Sequence, residues 1–139
     1  MKIKIIAGIC LLTFFAMIYS CQSDASIEYS RYYSAGAVVY QSHCQNCHGA
    51  NGQGLNGLIP PLTDTVFIKN NIHLLPCLVK NGLRGKITIS KRDFTEKMPA
   101  NDLAPIEIAN VLTYVANSFG NKRGTIDVTQ VGTDLNDCR

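Results

Sequence analysis

Residues 44–48 read Cys-Gln-Asn-Cys-His, and at this spacing each reactive side chain has a chemical task within reach. The thiols of Cys44 and Cys47 can add to the two vinyl groups of a haem, giving two thioether bonds. His48 follows at once, so its imidazole can reach the iron as an axial ligand. C-x-x-C-H is the attachment signature of c-type haem. The competing readings of C-x-x-C are a redox dithiol and half a zinc site. A thioredoxin-like dithiol belongs in a βαβ setting, which the flanking sequence lacks. A structural zinc site wants four ligands, usually with a second close pair. Here Cys77 and Cys138 are far apart in sequence, and His43 adjoins Cys44, where both cannot easily face one metal. The residues favour one haem c per chain.

An electron-transfer haem needs a ligand opposite His48. Of the three methionines, Met1 and Met17 lie in an N-terminal segment with targeting features, which leaves Met98, followed by Pro99. A proline there stiffens an irregular segment and donates no hydrogen bond. A lone methionine is ordinarily core filler, but Glu96 and Lys97 argue against a plain core position. His73, flanked by Leu74 and Leu75, is the rival ligand; a lone histidine there is more often structural or exposed. Thioether coordination also raises the haem potential into a useful carrier range.

The chain that must position these groups has 139 residues, enough for one domain plus an N-terminal segment. Domains of this size bury proportionally little surface, and a haem supplies a large apolar core element. A hydrophobic fraction of 46% suits a globular protein rather than a disordered one. A net charge of +3 is too weak to argue for nucleic acid.

Residues 1–20 read as a signal peptide. Lys2 and Lys4 form a positive start, and Ile5 to Ile18 is an almost purely apolar run, shorter than the ~20 residues a membrane-spanning helix needs. It ends in Ile18-Tyr19-Ser20-Cys21, which resembles a lipobox. A lipid on Cys21 is therefore expected, with an ordinary cleaved signal or an uncleaved anchor as alternatives. Each places the domain in the cell envelope, outside the cytoplasm, periplasmic and held to a membrane where the lipid is present. Of the six cysteines, Cys77 and Cys138 are then left over. An oxidising compartment favours pairing them, and closing such a loop is worth ~3–4 kcal/mol in the entropy model; two unrelated thiols are the alternative.

Residues 21–28 read as a linker, with Gln22 to Ser26 polar. From about Ile27 to Cys44, Tyr29, Tyr32, Tyr33, Gly36 and Tyr40 recur at helical spacing and share one face. Gly36 inside that helix costs ~1 kcal/mol relative to alanine and needs a packing reason. Gly49 to Gly57 is a glycine-rich loop for tight turning; no strand precedes it and no G-K-[ST] follows, which excludes a nucleotide loop. Ile59 to Leu62 is a stiff extended stretch. Thr65 to Asn81 predicts two helical pieces, with Gly82 as a stop. Ile87 to Ile89 predicts a minor extended segment. A helix from about Ala104 to Ser118 has Pro105 in its first turn and an apolar stripe through Ile108, Val111, Leu112, Val115 and Phe119. Residues 122–139 read as an irregular C-terminal tail. The expected fold is all-α, three to four helices with long loops wrapped around one haem over residues 29–121.

These residues resemble the class I cytochrome c family in its small bacterial monohaem form, over roughly Tyr33 to Asn121. Gly36, Tyr40 and Cys44 are spaced as in that family's first helix, and Val111-Leu112-Thr113-Tyr114 is similar to its last. Pro60-Pro61-Leu62 matches its P-x-L. The resemblance implies that Gly36 and the aromatic residues meet where the terminal helices cross. It also implies that the Pro60 carbonyl accepts a hydrogen bond from His48 and that Leu62 lines the haem pocket. Asn81 to Ile89, Met98-Pro99 and Phe119-Gly120-Asn121 look like the cytochrome c modules attached to copper nitrite reductases, oxidases and dehydrogenases. Pro76, and the pair Cys77 and Cys138, depart from the pattern.

The function this implies is a one-electron carrier rather than an enzyme, exchanging electrons with a redox protein such as a terminal oxidase, reductase or dehydrogenase. Its rivals are an electron-entry subunit of a larger complex and a haem enzyme or gas sensor with an open iron site. Lys80, Arg84, Lys86, Lys91, Arg92 and Lys97 cluster in sequence; they read either as a basic rim that steers acidic partners or as an ordinary solvated surface.

Overall fold

The computed structural model of the protein describes residues 24–138, together with Gly8, Leu11 and Thr13. Apart from those three residues, the expected targeting segment 1–20 lies outside the described residues, as does the expected lipid site Cys21. The described chain forms α1 (Asp24–His43), α2 (Gln45–His48), α3 (Thr65–Asn70), α4 (Leu75–Asn81), β1 (Ile87–Ile89), β2 (Arg92–Phe94), α5 (Pro105–Val115) and α6 (Val128–Asn136). The fold is mostly helical, as expected. Helix α1 begins at Asp24, inside the stretch read as a linker. Asp24 stands in its first turn, where a carboxylate meets the positive end of the helix dipole.

The core is built where α1 crosses α5. Ile108, Val111, Leu112 and Val115 form the buried stripe of α5. Gly36 is buried against the backbone of α5: a Cβ added there would lie 2.6 Å from the carbonyl carbon of Asn110 and 2.8 Å from Tyr114 Cβ. Only a glycine lets the two helices approach this closely, which offsets its poor helix propensity. The aromatic face of α1 meets the same junction. Tyr33 and Tyr40 lie 5.1 and 5.3 Å from Tyr114, ring centre to ring centre, and Tyr40 lies 5.3 Å from Phe119.

Local signals explain the short elements. Asp64 caps α3 by accepting the Phe67 N–H at 2.8 Å, and Pro76 falls in the first turn of α4, where its missing N–H leaves no helical bond unmade. Glu107 accepts the Ala104 N–H at 2.8 Å at the start of α5. Strands β1 and β2 pair antiparallel, Ile87 with Phe94 and Ile89 with Arg92. Their turn holds Ser90 and Lys91 at φ 49° and 61°, the left-handed backbone a two-residue hairpin demands. The Ser90 hydroxyl donates to Asp64, tying the hairpin tip to the start of α3.

The C-terminal region corrects the expectation of an irregular tail. Asp127 caps α6 by accepting the Thr129 and Gln130 N–H groups. Val131 is fully buried, and Ile126 is 3% exposed. The Thr113 hydroxyl both donates to the Ile126 carbonyl and accepts its N–H. Cys77 in α4 and Cys138 just beyond α6 are joined as a disulfide. Gly132 and two threonines give α6 weak intrinsic propensity, so its stability comes from tertiary packing. The capping pattern Asp127-x-x-Gln130, with Val128, Val131 and Leu135 at helical spacing, was the available signal.

Candidate haem-binding site

Cys44 directly follows α1, and its N–H still bonds the Tyr40 carbonyl at 2.9 Å. The single turn α2 then carries Cys47 and His48, so a continuous helical path delivers all three motif residues to one place. Cys44, Cys47, His48, Pro60, Leu62 and Met98 all line one cavity holding about 1070 Å³ of empty space, its open mouth included. The remaining wall is almost wholly apolar: Phe67 and Ile68 from α3, Leu75, Leu78 and Val79 from α4, Ile87 and Ile89 from β1, and Val111, Leu112 and Val115 from α5.

His48 Nδ1 lies 3.1 Å from the Pro60 carbonyl oxygen. A carbonyl only accepts, so Nδ1 carries the proton and Nε2 keeps its lone pair. Burial pushes the His48 imidazole below its usual pKa, with the Pro60 bond working the other way; the ring is held neutral, the form that binds a metal. Burial, aided by the nearby Cys47, pushes the Cys44 thiol up to about 11. The glycine loop shapes this wall. Gly54 holds φ +66°, and a Cβ there would lie 2.8 Å from the Pro60 carbonyl carbon and oxygen. Its N–H bonds the His48 carbonyl at 2.8 Å. Tyr40 donates its hydroxyl to the Gly49 carbonyl at 2.7 Å, and burial lifts its pKa to about 12.

Met98 is held on a strand-like segment. Its N–H and C=O exchange bonds of 3.0 Å each with Leu83. Gly82, at φ +71°, lets the two chains touch: an added Cβ would lie 2.7 Å from the Pro99 carbonyl carbon. Leu83, and the α4 side chains of the cavity wall, were not singled out from the sequence, because their role depends on contacts remote along the chain. Asn121 was quoted only as part of a resemblance; its side-chain amide donates to the carbonyls of Leu62, Val115 and Ser118, clasping the pocket loop to the end of α5.

Other expected groups are placed elsewhere. His73 does not line the cavity; its Nδ1 lies 2.9 Å from Asp134 Oδ1. His43 is exposed at the end of α1. Of the six clustered cations, Lys80 pairs with Asp102 and Lys86 with Asp93, and Arg92 donates to Asn56.

The sequence profile described as Cytochrome c matches residues 33–118. The chain belongs to the cytochrome c family. Two relatives, each a cytochrome c-552 of Thermus thermophilus, are 30% identical to it over 93 residues. The matched stretch is 63% of this chain, and 70% and 62% of the respective relatives, so it spans less than two-thirds of the second. Cytochrome c family members are haem-based electron carriers, and their haem c is bound covalently. The residues present fit that group: an open cavity lined almost wholly by apolar side chains, with two free thiols and two soft or borderline iron donors, His48 and Met98, on its wall.

Proposed function

We propose that this chain is a one-electron carrier whose single haem c is anchored by Cys44 and Cys47 and ligated by His48 and Met98. The observation that carries the reading is the convergence of the Cys44–His48 motif and the sequence-distant Met98 on one apolar cavity. When bound, the haem supplies an iron that gains or loses one electron. The chain does the rest. The Pro60 carbonyl fixes the His48 tautomer and raises its basicity as a ligand. The Leu83–Met98 bonds hold the methionine's backbone, so ligation need not order a loose loop. Leu62 and the walls from α4 and α5 exclude water, which keeps both charge states of the site similarly solvated. No catalytic residue is assigned.

We read the working location as outside the cytoplasm, with residues 1–20 as a targeting segment and Cys21 as a lipid site. What supports it is the covalent haem signature and the disulfide, which suits an oxidising compartment. No described helix is long and apolar enough to cross a membrane. The partners are redox proteins acting as donor and acceptor. With Lys80 and Lys86 already paired with carboxylates, Arg84, Lys91, Arg92 and Lys97 are the members of the basic cluster left to steer them.

An anaerobic redox titration with visible spectra of wild type and Met98→Ala tests the ligand set. Wild type should show the long-wavelength sulfur-to-iron charge-transfer band, and the variant should lose it and titrate at a lower potential. A band that survives the substitution overturns the assignment.

A further inference from the structure

The Cys77–Cys138 disulfide joins the two elements that hold Met98 and close the C-terminus. Cys77 lies in α4, the helix from which the Met98 segment hangs. Asn101 donates its N–H and its side-chain amide to the Val79 carbonyl, each at 3.3 Å. Lys80 donates to the Leu103 carbonyl at 3.0 Å. Gly82 and Leu83, immediately after α4, take the close approach of Pro99 and the paired bonds to Met98. Leu75, Leu78 and Val79 of the same helix face the cavity.

Helix α4 is braced from behind by α6 through a compact set of contacts. Besides the disulfide, Asp134 accepts from His73, which precedes α4. The Asp134 carbonyl oxygen lies 3.5 and 3.6 Å from the two cystine sulfurs. Its second carboxylate oxygen is buried without a hydrogen-bond partner, a desolvation cost that offsets part of what this contact contributes. Val131 packs α6 into the core, and the disulfide is its covalent tie to α4. Both cysteines are partly exposed, within reach of an attacking thiolate.

We propose that Cys77–Cys138 is a thiol–disulfide site that sets the hold on Met98, so that a dithiol reductant acting there loosens the sixth ligand of the haem. The dithiol attacks one sulfur, a mixed disulfide forms, and its second thiol resolves it. The S–S bond breaks, Cys77 and Cys138 take up two electrons and two protons as thiols, and the reductant leaves as a disulfide. Helix α4 then loses its covalent tie to α6, and the α4 contacts that hold the segment from Met98 to Leu103 lose that backing. The proposal rests on the His48 and Met98 reading above and extends it.

Carbon monoxide binding to the ferrous holoprotein reads the hold directly, because the ligand must displace the methionine. Full-length holoprotein, kept ferrous with ascorbate, is mixed with carbon monoxide before and after dithiothreitol treatment, with thiol titration and far-ultraviolet dichroism in parallel. A Cys77→Ser/Cys138→Ser variant repeats the test without reductant and allows the ferric charge-transfer band to be measured. Binding should be slow in the disulfide form and at least tenfold faster once two thiols appear, with helicity kept; the ferric variant should show a weakened band. Slow binding that is unchanged in both the reduced and the substituted protein overturns the proposal. So does a collapse of the helical signal on reduction, since a staple of the whole fold is then the better description. Fast binding in the untreated disulfide form overturns the His48 and Met98 ligation itself, and the proposal with it.

Discussion

At Gly54 the space allows a hydrogen atom and nothing larger. Its left-handed φ and the Pro60 carbonyl lying against it make two separate demands, and Gly57 allows them to be told apart. Gly57 also has positive φ, +77°, but nothing within 4 Å of an added Cβ. Gly57→Ala should therefore incur only the backbone penalty, roughly 1–2 kcal/mol. Gly54→Ala should add overpacking of about 1–3 kcal/mol and displace the acceptor of His48. Denaturant unfolding of the two holoprotein variants, side by side, measures the difference; equal losses would dismiss the packing role. Among single residues the sequence revealed chemistry better than support. Cys44, Cys47 and His48 are legible because their spacing is their chemistry. Leu83 and Asn121 are not, because nothing local distinguishes a backbone partner of Met98 or a clasp on Leu62 from any other loop residue.

Among the elements, α3 is a helix of six residues, too short to persist unaided, and its cap carries weight. The Ser90 hydroxyl, followed by the Phe67 N–H, holds the Asp64 carboxyl below the usual carboxylate range. A depressed folded pKa means the contribution is complete above the unfolded value, near 4, and is lost as pH falls through the lower folded value. Asp64→Ala should cost about 1 kcal/mol at neutral pH, and the Tm gap from wild type should close under acid conditions. A gap that stays constant to low pH would contradict this. Helix α6 offers a second check. Val131→Ala removes a fully buried side chain from the segment expected to be an irregular tail. It should cost roughly 1.5–3 kcal/mol, seen as a lowered unfolding midpoint; a neutral result would mean the tail does not pack as described. The boundary of α1 was missed for a related reason. A polar start with one acidic cap reads equally well as linker until the helix behind it is anchored.

For the molecule as a whole, the cavity is the decisive feature. The apolar side chains that line the open cavity are covered when the cofactor binds, so the fold and its cofactor are thermodynamically linked. Haem-free protein should lose near-ultraviolet dichroism and bind hydrophobic dyes while keeping part of its helicity; native-like near-ultraviolet spectra would show that the walls can close on themselves. The all-α class, the α1 and α5 helices, the two-piece stretch from Thr65 to Asn81 and the haem motif were determined by the sequence alone, because periodicity, caps and short-range spacing are properties of neighbouring residues. Which residues surround the cavity, that Met98 faces it while His73 turns to Asp134, and that the last helix is fastened behind α4 were decided only by the tertiary structure. Each of these depends on contacts between residues tens of positions apart, and such contacts are set by how the apolar faces jointly bury one another around a cofactor. The C-x-x-C-H motif thus announces a haem site, while the packing around it brings Met98 to the same cavity.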